Sequence, residues 1–135
     1  MQNKLAALRP YALSLLRFMA GLLYMEHGTA KLLGFPAIPA FAHVQLASLI
    51  GVAGVLELVG GTLIMLGLFT RIAAFVLSGE MAFAYFIAHA PHGFLPILNH
   101  GELAVLYCFT FLYLAVAGGG PIALERVFCR TAARA

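Results

Sequence analysis

Apolar residues in this chain fall into four long runs separated by short clusters of proline, glycine and charge, and within each run the spacing of apolar positions is helical, not alternating. The pattern predicts helices over residues 11–33, 46–69, 72–89 and 100–117. Pro10 suits the first turn of the first helix, where its missing N–H would have no partner anyway, and Gly34, Pro36 and Pro39 end that helix. Only Thr70 and Arg71 separate the second and third helices, which must therefore form a tight antiparallel hairpin. The segment Ala90–Pro96, with two prolines and a glycine, reads as a loop or re-entrant turn. Gly118-Gly119-Gly120-Pro121 closes the fourth helix and leaves residues 121–135 as a short basic tail.

Composition decides the solvent. Hydrophobic residues make up 63% of the 135 positions and charged residues 10%, and the mean hydropathy is +0.99. A water-soluble domain of this length would lack the polar surface to cover itself. Four spans of roughly 20 residues, the length of an apolar bilayer crossing, use most of the chain. The expectation is an all-α integral membrane four-helix bundle forming a single transmembrane domain over residues 1–135. The net charge of +3 comes from basic residues at run ends, with no dense patch for nucleic acid. Lys4, Arg9, Arg71, Arg126, Arg130 and Arg134 place the N- and C-termini on the cytoplasmic side of a bacterial-type inner membrane, with the chain multi-pass. The opposite loops carry Lys31 and the histidines His43, His89, His92 and His100. The first run is too long for a secretion signal and reads as a retained helix. Cys108 and Cys129 form no Cys-x-x-Cys pair, so no structural disulfide is expected.

Each run contains one glutamate: Glu26, Glu57, Glu80 and Glu102. A carboxylate in hydrocarbon must be neutralised, paired or set in a protein-lined cavity, so one per helix points to a shared polar interior. A rise of about 1.5 Å per residue ranks these groups in two layers. In the inner layer Arg17 and Glu80 are candidates for a buried ion pair. The outer layer offers a candidate ligand and proton-exchange cluster of Glu26, His27, Lys31, Glu57, Asn99, His100 and Glu102. Ala53 and Gly61 flank Glu57 by one turn, and Ala84 and Ala88 continue the Glu80 face, small residues that let helices approach closely. Tyr24, His27 and Lys31 share one helix face, while Glu26 points about a quarter turn away. Tyr85, Tyr107 and Tyr113 read as packing or interface residues.

Several chemistries fail on spacing. A di-iron carboxylate site needs Glu-x-x-His, but Thr29, Gly60, Phe83 and Val105 occupy the required positions. No metal site is expected. A bis-histidine haem would find facing histidines only at the outer rim. Nucleotide-binding and serine-nucleophile motifs do not occur.

Arg17-x-x-x-Gly21, Glu26-His27-Gly28-x-x-Lys31, the block Glu57-x-x-Gly60-Gly61 with Gly67, Arg71 and Ala74, and Asn99-x-Gly101-Glu102 together resemble the DoxX family over roughly Leu15 to Glu125. Many members end in Gly-Pro-Gly followed by Ser-Leu-Asp, where this chain reads Gly118-Gly119-Gly120-Pro121-Ile122-Ala123-Leu124-Glu125. The resemblance implies a small four-helix inner-membrane protein linked to membrane redox chemistry. The expected function is that of a quinone- or quinol-binding or accessory subunit of a membrane redox assembly, with no tightly bound cofactor. Glu26 and Glu102 would exchange protons, His27 would bond a ring carbonyl, and Glu57 and Lys31 would support them. Expected partners are the lipid bilayer, a quinone, other redox-complex subunits or a second copy. The alternatives are a non-enzymatic membrane scaffold or assembly factor, and a small transporter or metal-handling protein using His89, His92 and His100.

Overall fold

A computed structural model describes residues 2–132, with side chains described for residues 4–128. Arg134 lies outside the described residues, and the side chains of Cys129 and Arg130 lie outside the described side chains. The helices are α1 (Gln2–Leu32), α2 (Leu49–Leu66), α3 (Thr70–Ala84), the short α4 (Pro96–Asn99), α5 (Glu102–Ala117) and α6 (Leu124–Ala132). A π-helical turn (Tyr85–His89) and a 3-10 turn (Ala90–His92) prolong α3, and among the described residues there is no strand. Three stretches, Lys4–Leu32, Leu49–Leu66 and Thr70–His92, are long and apolar enough to cross a bilayer, and α5 is apolar but shorter. Large apolar residues such as Phe18, Val59, Phe75, Leu106 and Phe109 face outward, as lipid contact requires.

Helix ends differ from the sequence expectation for local reasons. α1 begins at Gln2 and runs through Pro10. Ser14 Oγ donates to the Pro10 carbonyl and accepts from Ile122 N, so a later segment braces the turn around the proline. α2 starts at Leu49, not residue 46, because the Ser48 side chain accepts from Gly51 N and caps the helix. It ends at Leu66, three residues early, where Gly67 adopts φ 73° and ψ 45°. Gly67 N then bonds the Ile64 carbonyl and Leu68 N the Leu63 carbonyl, the paired bonds that close a helix through a left-handed glycine. Part of the expected tail is helical, forming α6.

The helices pack as two pairs. Along α1 and α2 the backbones touch: a Cβ on Gly21 would lie 2.3 Å from Met65 N, and one on Gly28 would lie 2.4 Å from Leu58 N. Gly61 returns the contact, its Cβ position 2.7 Å from Met25 N. α3 and α5 form the second pair, tied by Ser78 Oγ donating to the Cys108 carbonyl at 2.8 Å. Tyr24, Ile64, Leu77, Phe111 and Leu114 fill the space between the pairs. The hairpin of α2 and α3 is tight, and Gly60 meets the Leu77 side chain.

At the terminal end of the bundle, where α2 meets α3 and α6 packs, charged side chains satisfy helix ends, whose last carbonyls and first N–H groups have no partner within the helix. Arg17 Nη1 donates to the Ile64 carbonyl at 2.6 Å and to that of Met65, both in the last turn of α2. Its Nε donates to the Gly119 carbonyl at 2.8 Å and its Nη2 to the Ile122 carbonyl at 2.6 Å. Arg71 donates to the Ala115 and Val116 carbonyls at the end of α5. Glu125 accepts from Thr70 N at the start of α3. The expected Arg17–Glu80 ion pair is therefore not formed. α2 presents unsatisfied carbonyls to Arg17, and Glu80 takes a different partner.

Candidate functional site

On the opposite side of the Gly60–Leu77 contact, toward the loop end, the four long helices line a cavity of about 790 Å³. α1 contributes Tyr24, His27 and Lys31, α2 contributes Glu57, α3 contributes Glu80 and α5 contributes Tyr107. The remaining wall is mainly aliphatic and aromatic, including Leu56, Val76, Phe83 and Leu103. Glycine at positions 28 and 54 sets this geometry, since the close α1–α2 approach brings the Lys31 stem against Gly54.

Two carboxyl groups dominate the polar wall. Lys31 Nζ lies 2.6 Å from Glu57 Oε1, and both side chains are largely buried. Tyr24 donates its hydroxyl to Glu80 Oε2 at 3.1 Å. The second oxygen of each group, Glu57 Oε2 and Glu80 Oε1, is buried and has no hydrogen-bond partner. Thr70 Oγ1, at the terminal end, is the other described buried side-chain oxygen of this kind. Tyr24 meets Tyr107 and Phe111 edge-on at 5.0 and 4.8 Å between centroids. His27 stands 6.4 Å from both Tyr24 and Tyr107. Lys31 Nζ also sits 5.6 Å from the Phe41 ring centroid, in cation–π range. Buried polar atoms are ordinarily partnered. Two carboxyl oxygens left open in one apolar cavity can bond an incoming molecule without displacing an internal contact.

Of the expected outer cluster, His27, Lys31, Glu57 and His100 line the cavity together. Glu26 and Glu102 do not line it and are exposed. Their depth was compatible with the site but their helix faces are not. Asn99 is buried and holds the loop together, its Oδ1 accepting from Gly101 N at 2.8 Å and its Nδ2 donating to the Gly93 carbonyl and to Tyr85 Oη. His89 and His92 each place Nδ1 beside a backbone carbonyl, of Asn99 and Ala88 respectively. Among the described residues no three His, Cys, Asp or Glu side chains are grouped to hold a metal ion. Sequence reasoning counted Glu80 toward a shared polar interior but set it in the inner layer with Arg17 and not with the cavity cluster; Tyr107, read as a packing or interface residue, packs on Tyr24 and Phe111 and also lines the cavity. The signal available was the Tyr24, His27, Lys31 stripe, which marks the cavity face of α1.

Residues on which the sequence resemblance rests take structural places here: Arg17 and Arg71 at helix ends, Gly21, Gly28 and Gly61 in the seam, Gly67 in the turn, and Lys31 with Glu57 at the cavity. The DoxX family model matches residues 12–90. The chain belongs to the DoxX family. The match ends before Asn99, Gly101 and Glu102, so the loop-end part of the resemblance lies beyond it. Among relatives of this DoxX protein, an uncharacterised protein of Haemophilus influenzae is 48% identical over 130 residues, covering 93% of this chain and 97% of the relative. A Bacillus subtilis protein named "Putative oxidoreductase CatD" is 29% identical over 113 residues, 82% of each chain. No solved structure matches the chain.

Proposed function

We propose that this DoxX protein binds the headgroup of a membrane-soluble quinone or quinol in the cavity among its four long helices, as a binding or accessory subunit of a membrane redox assembly. The observation that carries the reading is a cavity of about 790 Å³ whose apolar wall holds two carboxyl groups with one open oxygen each. That volume falls within the range of about 300–1,000 Å³ usual for small-molecule sites. The aliphatic wall suits a lipid-borne ring and tail, and the polar groups suit the ring oxygens. The proton-exchange role expected of Glu26 and Glu102 passes to Glu57 and Glu80, with Lys31 offsetting negative charge and His27 beside the ring. The oxidoreductase name of the Bacillus subtilis relative is in keeping with such an assembly. In this reading both termini face the cytoplasm across a bacterial-type inner membrane, following the basic flanks.

The test is mass spectrometry of an organic extract from protein purified gently with native lipid. A quinone retained in about equimolar amount, and depleted in Glu57→Gln, supports the reading. Protein free of quinone that copurifies stoichiometrically with another membrane protein would overturn it in favour of a scaffold.

A further inference from the structure

The helix junctions beside the cavity are not equally closed. α1 and α2 meet backbone to backbone at Gly21, Gly28 and Gly61. α3 and α5 are joined by the bond from Ser78 to the Cys108 carbonyl, and between α1 and α5 the rings of Tyr24 and Tyr107 meet edge-on at 5.0 Å. α2 and α3 touch where Gly60 meets Leu77, and toward the loop end the cavity lies between them. There Ile50 and Val52 of α2 and Val76, Phe83 and Ile87 of α3 line the cavity while remaining about half exposed on the outside of the bundle. α2 and the stretch Thr70–His92 are both long and apolar enough to cross a bilayer, so the outer medium at this gap is hydrocarbon. The cavity also reaches the loop end, where its exposed rim includes His100 and Leu103 and where Lys31 Nζ sits 5.6 Å from the Phe41 ring centroid.

Gly79 stands in the α3 wall of the gap. It is exposed and lines the cavity, about 14 Å along the helix from Thr70 and so close to mid-span. A Cβ there would meet nothing within 4 Å. Glycine inside a helix is less favourable than alanine, and no neighbour requires it at this position, so the missing side chain serves as space. Resting on the quinone or quinol reading above, we infer that the cavity takes a tailed, membrane-borne ligand sideways from the bilayer through the gap between α2 and α3, the head stopping at Glu57 and Glu80 and the tail lying in the gap beside Gly79. The buried, unpartnered Glu57 Oε2 and Glu80 Oε1 mark where the head comes to rest. Passage by the loop end would draw the tail past Lys31, His89 and His100 into water, which is unfavourable methylene by methylene. The gap keeps the tail in apolar surroundings throughout, and it makes Gly79 a position that discriminates by tail and not by head.

The experiment is equilibrium binding of decylplastoquinone and duroquinone, methylated rings with and without a tail, to the full chain in lipid nanodiscs, with ligand concentrations referred to lipid so that partitioning cancels. Gly79→Leu should weaken decylplastoquinone at least about tenfold, within the cost of overpacking a fitted site, and duroquinone by less than about threefold. Phe109→Leu, on the lipid-facing surface away from the cavity, should leave both unchanged. The ratio of the two affinities in one protein is insensitive to how much of a variant folds, and Ala53→Leu, in the α2 wall of the cavity, supplies the same test if Gly79→Leu fails to accumulate. Equal losses for the two compounds, or no loss for either, overturn this inference while the quinone-site reading stands. Failure of both compounds to bind the wild type overturns the reading and the inference together.

Discussion

At the terminal end Arg17, only 3% exposed, places all three guanidinium nitrogens on backbone carbonyls drawn from α2 and from the segment after α5. At the loop end Glu57, 4% exposed, spends one oxygen on Lys31 and leaves the other open. Two charges of nearly equal burial are thus handled in opposite ways. The first is saturated by groups that every chain possesses, which makes it a closure device. The second is half satisfied inside a cavity, and natural chains tolerate such local inconsistency mainly where function requires it. The contrast separates the end of the bundle that holds the fold from the end available to a ligand.

The comparison breaks most directly at Arg17. Arg17→Met removes a set of charge-assisted bonds, each worth about 1.5–3 kcal/mol, and should lower stability by about 3 kcal/mol or more in thermal unfolding in detergent micelles. Arg17→Lys should recover only part of this, since an ammonium lacks the planar fork. Wild-type stability in Arg17→Met would remove the terminal end's claim to hold the fold. Next in size is the seam between α1 and α2. Gly28→Leu drives a side chain into the Leu58 backbone, whose nitrogen already lies 2.4 Å from the Cβ position, and should cost about 1–3 kcal/mol, or more where the backbones cannot part.

Smaller effects sharpen the loop-end side. A Cβ on Gly79, which lines the cavity, meets nothing within 4 Å. Gly79→Ala should therefore raise the unfolding free energy by about 0.5–1 kcal/mol, the helical advantage of alanine. A loss of stability there would show that the cavity wall is more tightly packed than its open space indicates. Smallest of all, Glu80→Gln should shift the same unfolding curve by under about 0.5 kcal/mol, because its amide oxygen still accepts from Tyr24. A large loss would make Glu80 part of the fold's support.

Much of this division was legible in the chain. The four helical runs, the α2–α3 hairpin and the stripe of Tyr24, His27 and Lys31 follow from apolar periodicity and from the placement of glycine and proline. Depth along a helix was also readable, and it put Glu57, His27 and His100 in one layer; all three line the cavity. Depth is only one coordinate. Glu26 and Glu102 share that layer yet are exposed, and which way a helix turns is fixed by its contacts with neighbouring helices, which no single run reveals. Arg17 and Glu80 were matched because their charges are opposite. Carbonyl oxygens carry no sequence signature, so an arginine's best partners were invisible until α2 was seen to end at Gly67. The α6 helix was hidden for a related reason: nine residues of mixed character look like a tail until Glu125 is found against Thr70.

The cage around Arg17 also has a history in time. Its α2 carbonyls lie 47 and 48 residues downstream, but Gly119 lies 102 residues downstream and Ile122 lies 105. At a synthesis rate of about 5–20 residues per second, roughly 5–20 s pass between the emergence of the arginine and that of its last two acceptors. Throughout that interval the nascent chain holds an incompletely caged cation within its first apolar segment. A chain cut short before Gly119 keeps it so, and an unfinished copy differs from a finished one in leaving the Arg17 charge without its last two carbonyl partners.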